Sequence, residues 1–289
     1  MSATVRPRRS MLYMPGANAR ALEKARSIAA DCLILDLEDS VAPDAKDMAR
    51  DQVVAALKEG YGQREVLVRV NGLNSPWGHA DLVATAKCGA HGVLLPKVES
   101  ADAVRQAEAI LEASGAPDDL AMWCMMETPR GILKAEEIAL SSHRMSGFVM
   151  GTSDLAKDLQ CLHTRDRLPM ITSLGICLLV ARAYGLAVLD GVYLDLNDDA
   201  GFEFSSTQGR ELGFDGKTLI HPKTVEMTNR IFAPSAIEVE WSKKIIAAHA
   251  EASALGKGVV VVEGKLIENL HVTNARRLVK LAEMIEAMS

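Results

Sequence analysis

The sequence predicts an α/β protein, a (β/α)₈ barrel of the TIM type with a C-terminal extension of helices and a hairpin. Three observations carry that prediction. Eight short apolar runs alternate with helical stretches as far as residue 232, with few long connections. Several of the runs are apolar throughout rather than alternating, which suits parallel strands covered on both faces. Charged side chains recur just past the ends of the runs, where such a barrel gathers its site. A doubly wound open sheet is the rival architecture, but no GxGxxG or GxxxxGK fingerprint follows the first run to support it.

In chain order, SMLYMPG (Ser10–Gly16) is the first strand, ended by a Pro-Gly turn, with Asn18 placed to cap the helical ARALEKARSIAA. CLILDLEDS (Cys32–Ser40) is the second, closing on Asp36, Glu38 and Asp39, and KDMARDQVVAALKEG is its helix. EVLVRVNG (Glu65–Gly72) is the third, with Arg69 and Asn71 near its end. GVLLPK (Gly92–Lys97) is the fourth, followed by the helical SADAVRQAEAILEASG. AMWCMM runs into Glu127 as the fifth, and GFVMGTS runs into Asp154 as the sixth, with a helical run between them. GLAVLDGVYLD (Gly185–Asp195) and GKTLIHP (Gly216–Pro222) complete the eight. Beyond them IFAPSAIEVEWSKKIIAAHAEASALGKG reads as a helix ending at glycine, VVVVEGKLIEN as a hairpin, and VTNARRLVKLAEMIEAM as a final helix. The expected domains are 1–232 for the barrel and 233–289 for the extension.

Composition narrows the class. Hydrophobic residues make up 48% and charged residues 24%, as in soluble globular proteins. With 32 basic against 38 acidic residues the formal charge is −6, so no nucleic-acid partner is expected, although a local basic pocket stays open. The five cysteines form no CxxC pair and lie mostly in apolar runs, the pattern of buried free thiols in a reducing cytoplasm. No long apolar segment follows the basic MSATVRPRRS, so neither a secretory leader nor a membrane span is expected.

Glu127 and Asp154 carry the strongest functional signal. If the segment between them is a crossover, their strands lie about 4.8 Å apart and the two carboxylates meet at one end. Such a pair repels unless it shares a proton or a cation. With no histidine or thiolate cluster nearby, the expected partner is a hard divalent ion, Mg²⁺ rather than zinc, with Mn²⁺ as its substitute. Asp36, Glu38, Asp39, Arg69, Asn71, Lys97 and His221 fall on the same rim. For Asp36 or Lys97 taken alone, a solvated loop or a buried ion pair weighs as heavily as a function. Arg69 offers a cationic fork for an oxyanion or a carboxylate. His221, before Pro222, is as well placed to anchor the rim as to act as a base. GTSDL is not GxSxG, which argues against a serine hydrolase. Met122, Met125 and Met126 read as core, one of them available to floor an acyl pocket.

At these residues the chain resembles a known family. RRSMLYMPGANARALEKA, LILDLEDSVAPDAKDMAR, VRVNG, LLPKVESA, METPRGIL, GTSDLAKDL, LGFDGKTLIHP and IFAPSAIEVE follow one another over essentially the whole chain. Together they are similar to the citrate lyase β subunit-like family, in the HpcH/HpaI aldolase/citrate lyase group, which includes malyl-CoA, β-methylmalyl-CoA and citramalyl-CoA lyases. The resemblance implies a cytoplasmic homo-oligomer, a trimer or hexamer, that uses Mg²⁺ and takes acyl-CoA substrates, coenzyme A being part of the substrate. It implies Glu127 in METP and Asp154 in GTSDL as metal ligands, and Arg69 in VRVN as the substrate-binding arginine. Glu38 in DLED resembles the acid that orients that arginine or a water at the metal. Arg20 and Lys24 resemble residues that meet coenzyme A phosphates, and Tyr13 falls in the same binding set. By spacing alone Arg20 and Lys24 would be a solvated helix face. Many family lyases carry a GKMID.P-like segment on the lid, whose aspartate reaches a neighbouring subunit's site as acid or base. Here the segment is EGKLIENLH, so Glu268 stands at that position and the proline is missing. With METP, GTSDLAK and DGVY, this form resembles the malyl-CoA thioesterase-like branch.

The expected function is Mg-dependent retro-aldol cleavage of a 3-hydroxydicarboxyl-CoA thioester to an α-keto acid and a short acyl-CoA. In that reading Arg69 steadies developing charge and Glu268 protonates the enolate. Two alternatives stand beside it: hydrolysis of (3S)-malyl-CoA to malate and coenzyme A, and a β subunit of a multisubunit citrate lyase acting on a carrier-bound acyl group.

Overall fold

A computed structural model describes residues 6–256 and 258–288, which fall into two compact units, the first from Arg8 to Phe232 and the second from Ala233 onward. In the first unit eight parallel strands close a barrel: β1 (Ser10–Pro15), β2 (Cys32–Asp36), β3 (Glu65–Arg69), β4 (Gly92–Leu95), β5 (Ala121–Met126), β6 (Met145–Met150), β7 (Ala187–Asp190) and β8 (Gly216–Leu219). They pair in chain order, and β8 closes on β1 with Thr218 opposite Met11. Each of the eight apolar runs forms a strand, and the barrel they predict is the fold. The strands are shorter than the runs, because CLILDLEDS leaves the ladder at Asp36 and GLAVLDGVYLD at Asp190. Past those points the chain turns over the rim, held by single bonds such as Leu37 N–H to the Arg69 carbonyl at 2.9 Å.

Strand parity decides what faces inward. Side chains alternate between the two faces of a strand. Met11, Ile34, Leu67, Leu94, Trp123, Met125, Val149 and Leu189 form the barrel's interior cluster, while their neighbours Leu33, Leu35, Val66 and Val68 pack outward against the helices. Continuing each inward series by two residues at the C-terminal rim gives Tyr13 after Met11, Asp36 after Ile34, Arg69 after Leu67 and Glu127 after Met125. The barrel's own periodicity therefore aims four polar groups at one opening. Asp190, one residue past inward Leu189, has outward parity and is buried against Lys217, at 2.8 Å, and Arg167, at 2.6 Å. Below, Trp123 fills the interior because residue 147 is glycine: a Cβ there would lie 2.3 Å from the ring.

Local capping fixes the segments beside the rim. Asn18 accepts the Ala21 N–H at 3.0 Å, the cap its position suggested. Thr128 caps a short helix, Pro129–Leu133, with proline in its first turn, so Glu127 is held between a strand end and a capped helix start.

The second unit opens with the helix Ala236–Ala254, started by a capping box between Ser235 and Glu238. An antiparallel hairpin follows, β9 (Val260–Val262) and β10 (Lys265–Ile267), turning through Glu263 and Gly264 at φ of +47° and +79°. The helix Asn269–Met288 completes the unit, whose core is Ile245, Ile267, Val272 and Ala275. Among the described residues no helix is long and apolar enough to cross a membrane. All five cysteines are free, and only Cys161 is not fully buried.

Candidate functional site

The inward rim residues line a pocket of about 350 Å³ that includes Tyr13, Asp36, Arg69, Met125, Glu127 and Asp154. Glu127 is buried, and its Oε1 accepts the Lys97 backbone N–H at 2.7 Å. Burial pushes its carboxyl up to about 7, and the charge of Asp154 adds to that. Asp154 comes from the first turn of the helix Thr152–Leu159, just beyond β6. The two residues meet because Gly151 crosses close to Glu127: its N–H donates to the Met126 carbonyl at 3.1 Å, and a Cβ there would lie 2.4 Å from the Glu127 carboxylate. Lys97 Nζ is 3.8 Å and Lys157 Nζ 3.9 Å from Asp154 Oδ1. Among the described residues no group of three or more His, Cys, Asp or Glu side chains gathers as a ligand set. The protein thus offers two carboxylates, a hard all-oxygen donor pair. Such a pair fits a divalent ion that keeps positions open for water and substrate.

Arg69 sits beside the pair. Its Nε donates to Asp36 Oδ1 at 2.6 Å and its Nη2 to Oδ2 at 2.7 Å, while Nη1 donates to Asp39 Oδ2 at 3.3 Å. Its guanidinium carbon stands 4.7 Å from the Tyr13 ring centre. Although burial alone raises the Asp36 carboxyl, the hydrogen bonds and charge of Arg69 hold it below the usual carboxylate range. Glu38 behaves in the opposite way. Burial pushes its carboxyl up to about 7 against the lowering effect of Arg69, with Asp39 and Glu127 adding repulsion. Its Oε2 lies 3.1 Å from Arg69 Nη1, yet receives no aligned hydrogen bond. Burial raises the Tyr13 hydroxyl as well, and that hydroxyl contacts Met125 Sδ at 3.3 Å.

Residues 9–222 match the HpcH/HpaI aldolase/citrate lyase family. The chain belongs to that family. A (3S)-malyl-CoA thioesterase of Cereibacter sphaeroides is 48% identical over 288 residues, 99% of each chain. Citrate lyase subunit beta of Escherichia coli (strain K12) is 37% identical over 285 residues, 96% of this chain and 94% of its own. Among solved structures, CitE from Mycobacterium tuberculosis in complex with magnesium, acetoacetate and coenzyme A has a TM-score of 0.76 at 27% identity, covering 97% of this chain and 99% of that one.

Within this aldolase/citrate lyase barrel, the other residues singled out in the sequence fall in several places. Asp36 takes the Nε/Nη2 edge of the Arg69 fork by two hydrogen bonds, while Glu38 Oε2 and Asp39 stand against Nη1. Asn71 is buried away from the pocket, bonded to Asp81 Oδ2 and to the Leu37 carbonyl at 2.6 and 2.9 Å. His221 caps a short turn by accepting the Lys223 N–H at 3.1 Å and is exposed. Arg20 and Lys24 are exposed and outside the pocket lining. Glu268 belongs to the second unit, at the foot of β10. Its backbone N–H donates to His271 Nδ1 at 3.0 Å. Met125, not Met122 or Met126, reaches the pocket.

Two contributors carry no sequence signal. Gly151 looks like an ordinary turn glycine until its contact with Glu127 is seen. Lys46 looks like the solvated start of a helix, but it is buried, and its ammonium donates to the carbonyls of Leu37 and Glu38 at 2.8 and 2.7 Å. It pins the turn that carries the acids facing Arg69.

Proposed function

We propose that this enzyme holds a divalent cation, Mg²⁺ or Mn²⁺, on Glu127 and Asp154, and that it hydrolyses the coenzyme A thioester of a 3-hydroxydicarboxylic acid, (3S)-malyl-CoA. The observation that carries the reading is the Glu127–Asp154 pair beside a clamped Arg69 at one end of the barrel. The choice of ester rests on the thioesterases that are 48% identical along the whole chain. A pocket of about 350 Å³ is at the small end for ligand sites, enough for the acyl group, with the nucleotide of coenzyme A outside it.

When bound, the cation would polarise substrate oxygens and favour ionisation of a hydroxyl or water. The chain's own groups supply the rest. Arg69, fixed by Asp36, places a permanent positive charge where the thioester oxygen becomes negative. Glu38, whose carboxyl titrates near neutral pH, takes the proton of the attacking water and returns one to the leaving thiolate. Tyr13 and Met125 give the pocket an apolar wall that limits the access of bulk water.

Carbon–carbon cleavage is the second reading, supported by citrate lyase β subunits at 37% identity. There Glu38 takes the hydroxyl proton, an α-keto acid leaves, and the thioester enolate needs a proton. We assign that proton to Glu268, delivered by the second unit of a neighbouring copy acting as a lid in a homo-oligomer. The test is (3S)-malyl-CoA with Mg²⁺, with glyoxylate, free thiol and malate followed separately and Glu127→Ala as control. Malate and thiol without glyoxylate support hydrolysis. Glyoxylate with acetyl-CoA moves the assignment to the lyase. No turnover of this ester, or of citramalyl-CoA and β-methylmalyl-CoA, leaves a carrier-bound acyl group as the substrate.

A further inference from the structure

Lys97 touches both carboxylates of the pair through different groups. Its backbone N–H donates to Glu127 Oε1 at 2.7 Å, and its ammonium lies 3.8 Å from Asp154 Oδ1. It directly follows Pro96, beyond the end of β4, and its φ is +48°. That left-handed region is easy for glycine and unfavourable for lysine. Backbone strain of this kind persists where the surroundings enforce it, and it concentrates at working sites. The backbone bond to Glu127 ties this strained turn to the carboxylate pair. It does not explain why the residue is a lysine, since a glycine would make the same bond without strain.

The side chain supplies the reason. It is 50% exposed, so packing does not dictate it, and the acid it approaches most closely is Asp154. Lys157 approaches the same oxygen at 3.9 Å, but it is 75% exposed and closer to Asp158, at 3.4 Å. A divalent cation held by Glu127 and Asp154 would compete for the Asp154 oxygen and repel the Lys97 ammonium. The ammonium then needs another anion, and the pocket beside it is the one that receives an acid.

We infer that Lys97 binds a carboxylate of the substrate's acyl chain, its ammonium exchanging Asp154 for that carboxylate once a divalent cation occupies the Glu127–Asp154 pair. The inference rests on the reading of that pair as a metal site. It makes metal and dicarboxylate bind cooperatively, each strengthening the other by the same factor. Without the anion Lys97 competes with the metal, and with the anion it cooperates.

The test uses the full-length protein, Mn²⁺ as the metal and free L-malate as the dicarboxylate, with binding read by electron paramagnetic resonance and calorimetry rather than turnover. Lys97→Gly keeps the N–H bond to Glu127 and relieves the backbone, so its thermal midpoint should match the wild type. Lys97→Asn, which tolerates the same φ, is the second variant. Without malate, Lys97→Gly should bind Mn²⁺ about fivefold more tightly, the effect of removing one charge a few ångströms away. Malate should tighten Mn²⁺ binding in the wild type and in Lys97→Arg, but not in Lys97→Gly or Lys97→Asn. Lys157→Gln should keep the malate effect. The inference is overturned if the malate effect survives in Lys97→Gly, or if Lys157→Gln loses it equally, which would make it a general effect of charge. Failure of the metal reading looks different: the wild type would bind no Mn²⁺, or Glu127→Ala would bind it as well.

Discussion

Asp36 and Arg69 face each other across neighbouring strands at the same level of the barrel, and both oxygens of the acid are bonded to the arginine, at 2.6 and 2.7 Å. The pair is nearly dry, with side-chain exposures of 1% and 9%. Removing one partner of a buried pair strands the other. Asp36→Ala should therefore cost about 3–5 kcal/mol of stability by urea unfolding. Because the Asp36 carboxyl is held below its usual range, its contribution is present above the ordinary carboxylate pKa and is lost as pH falls through the lowered one. The wild type should lose stability on that acid limb more steeply than Asp36→Ala. Parallel limbs would show that the pair does not supply the stability assigned to it.

Gly151 gives a sharper test of the carboxylate pair. A Cβ there would lie 2.4 Å from the Glu127 carboxylate, and the main chain on both sides is fixed by strand β6 and the following helix. Gly151→Ala should push Glu127 off its bond to Lys97 and abolish Mn²⁺ binding, with a stability loss of about 1–3 kcal/mol from overpacking. Unchanged metal affinity in a folded variant would show that Glu127 is not a ligand.

Much of this arrangement was legible in the sequence, for reasons that also mark where it stopped. The strands declare themselves because parallel strands are covered on both faces, so CLILD and AMWCMM read as unbroken apolar runs. Glu127 and Asp154 follow such runs directly, and their meeting needs only two adjacent strands. Asp36 was harder to place, because its role depends on the register that sets it opposite Arg69, and register is a long-range property. Lys46 and Gly151 act through backbone contacts with segments far away or across a turn, and neither contact leaves a pattern in the chain. The outward parity of Asp190 follows from where β7 begins, which the longer run GLAVLDGVYLD conceals.

If Glu38 is the proposed base, its raised carboxyl links activity to stability. Burial lifts it to about 7, so the folded protein keeps a proton that the unfolded chain has already lost. Stability therefore falls through this group as pH rises from the ordinary carboxylate range to about 7, and is level above. Glu38→Gln removes that loss. The variant should gain stability relative to the wild type across that window, reaching a plateau above neutral pH in thermal melts, while kcat falls by about 100-fold or more. A relative gain that is the same at every pH would show that Glu38 is not raised.

Under the proposed assignment, substitution of Glu268 should separate the two reactions. Among the described residues its backbone alone is engaged: the N–H donates to His271 Nδ1, and the carbonyl accepts from His271 N at 3.0 Å and Val272 N at 3.3 Å. Glu268→Gln keeps those bonds, so its stability should stay within about 0.5 kcal/mol of the wild type. Hydrolysis needs no proton on carbon, whereas cleavage to acetyl-CoA does. The substitution should therefore leave malate release unchanged and reduce any glyoxylate release by about 100-fold or more, the scale of a lost general acid. Equal loss of both products would point to a part in closing the site rather than in moving a proton. Retention of glyoxylate formation would show that the longer side chain has given up the family aspartate's work, and that another group protonates the enolate.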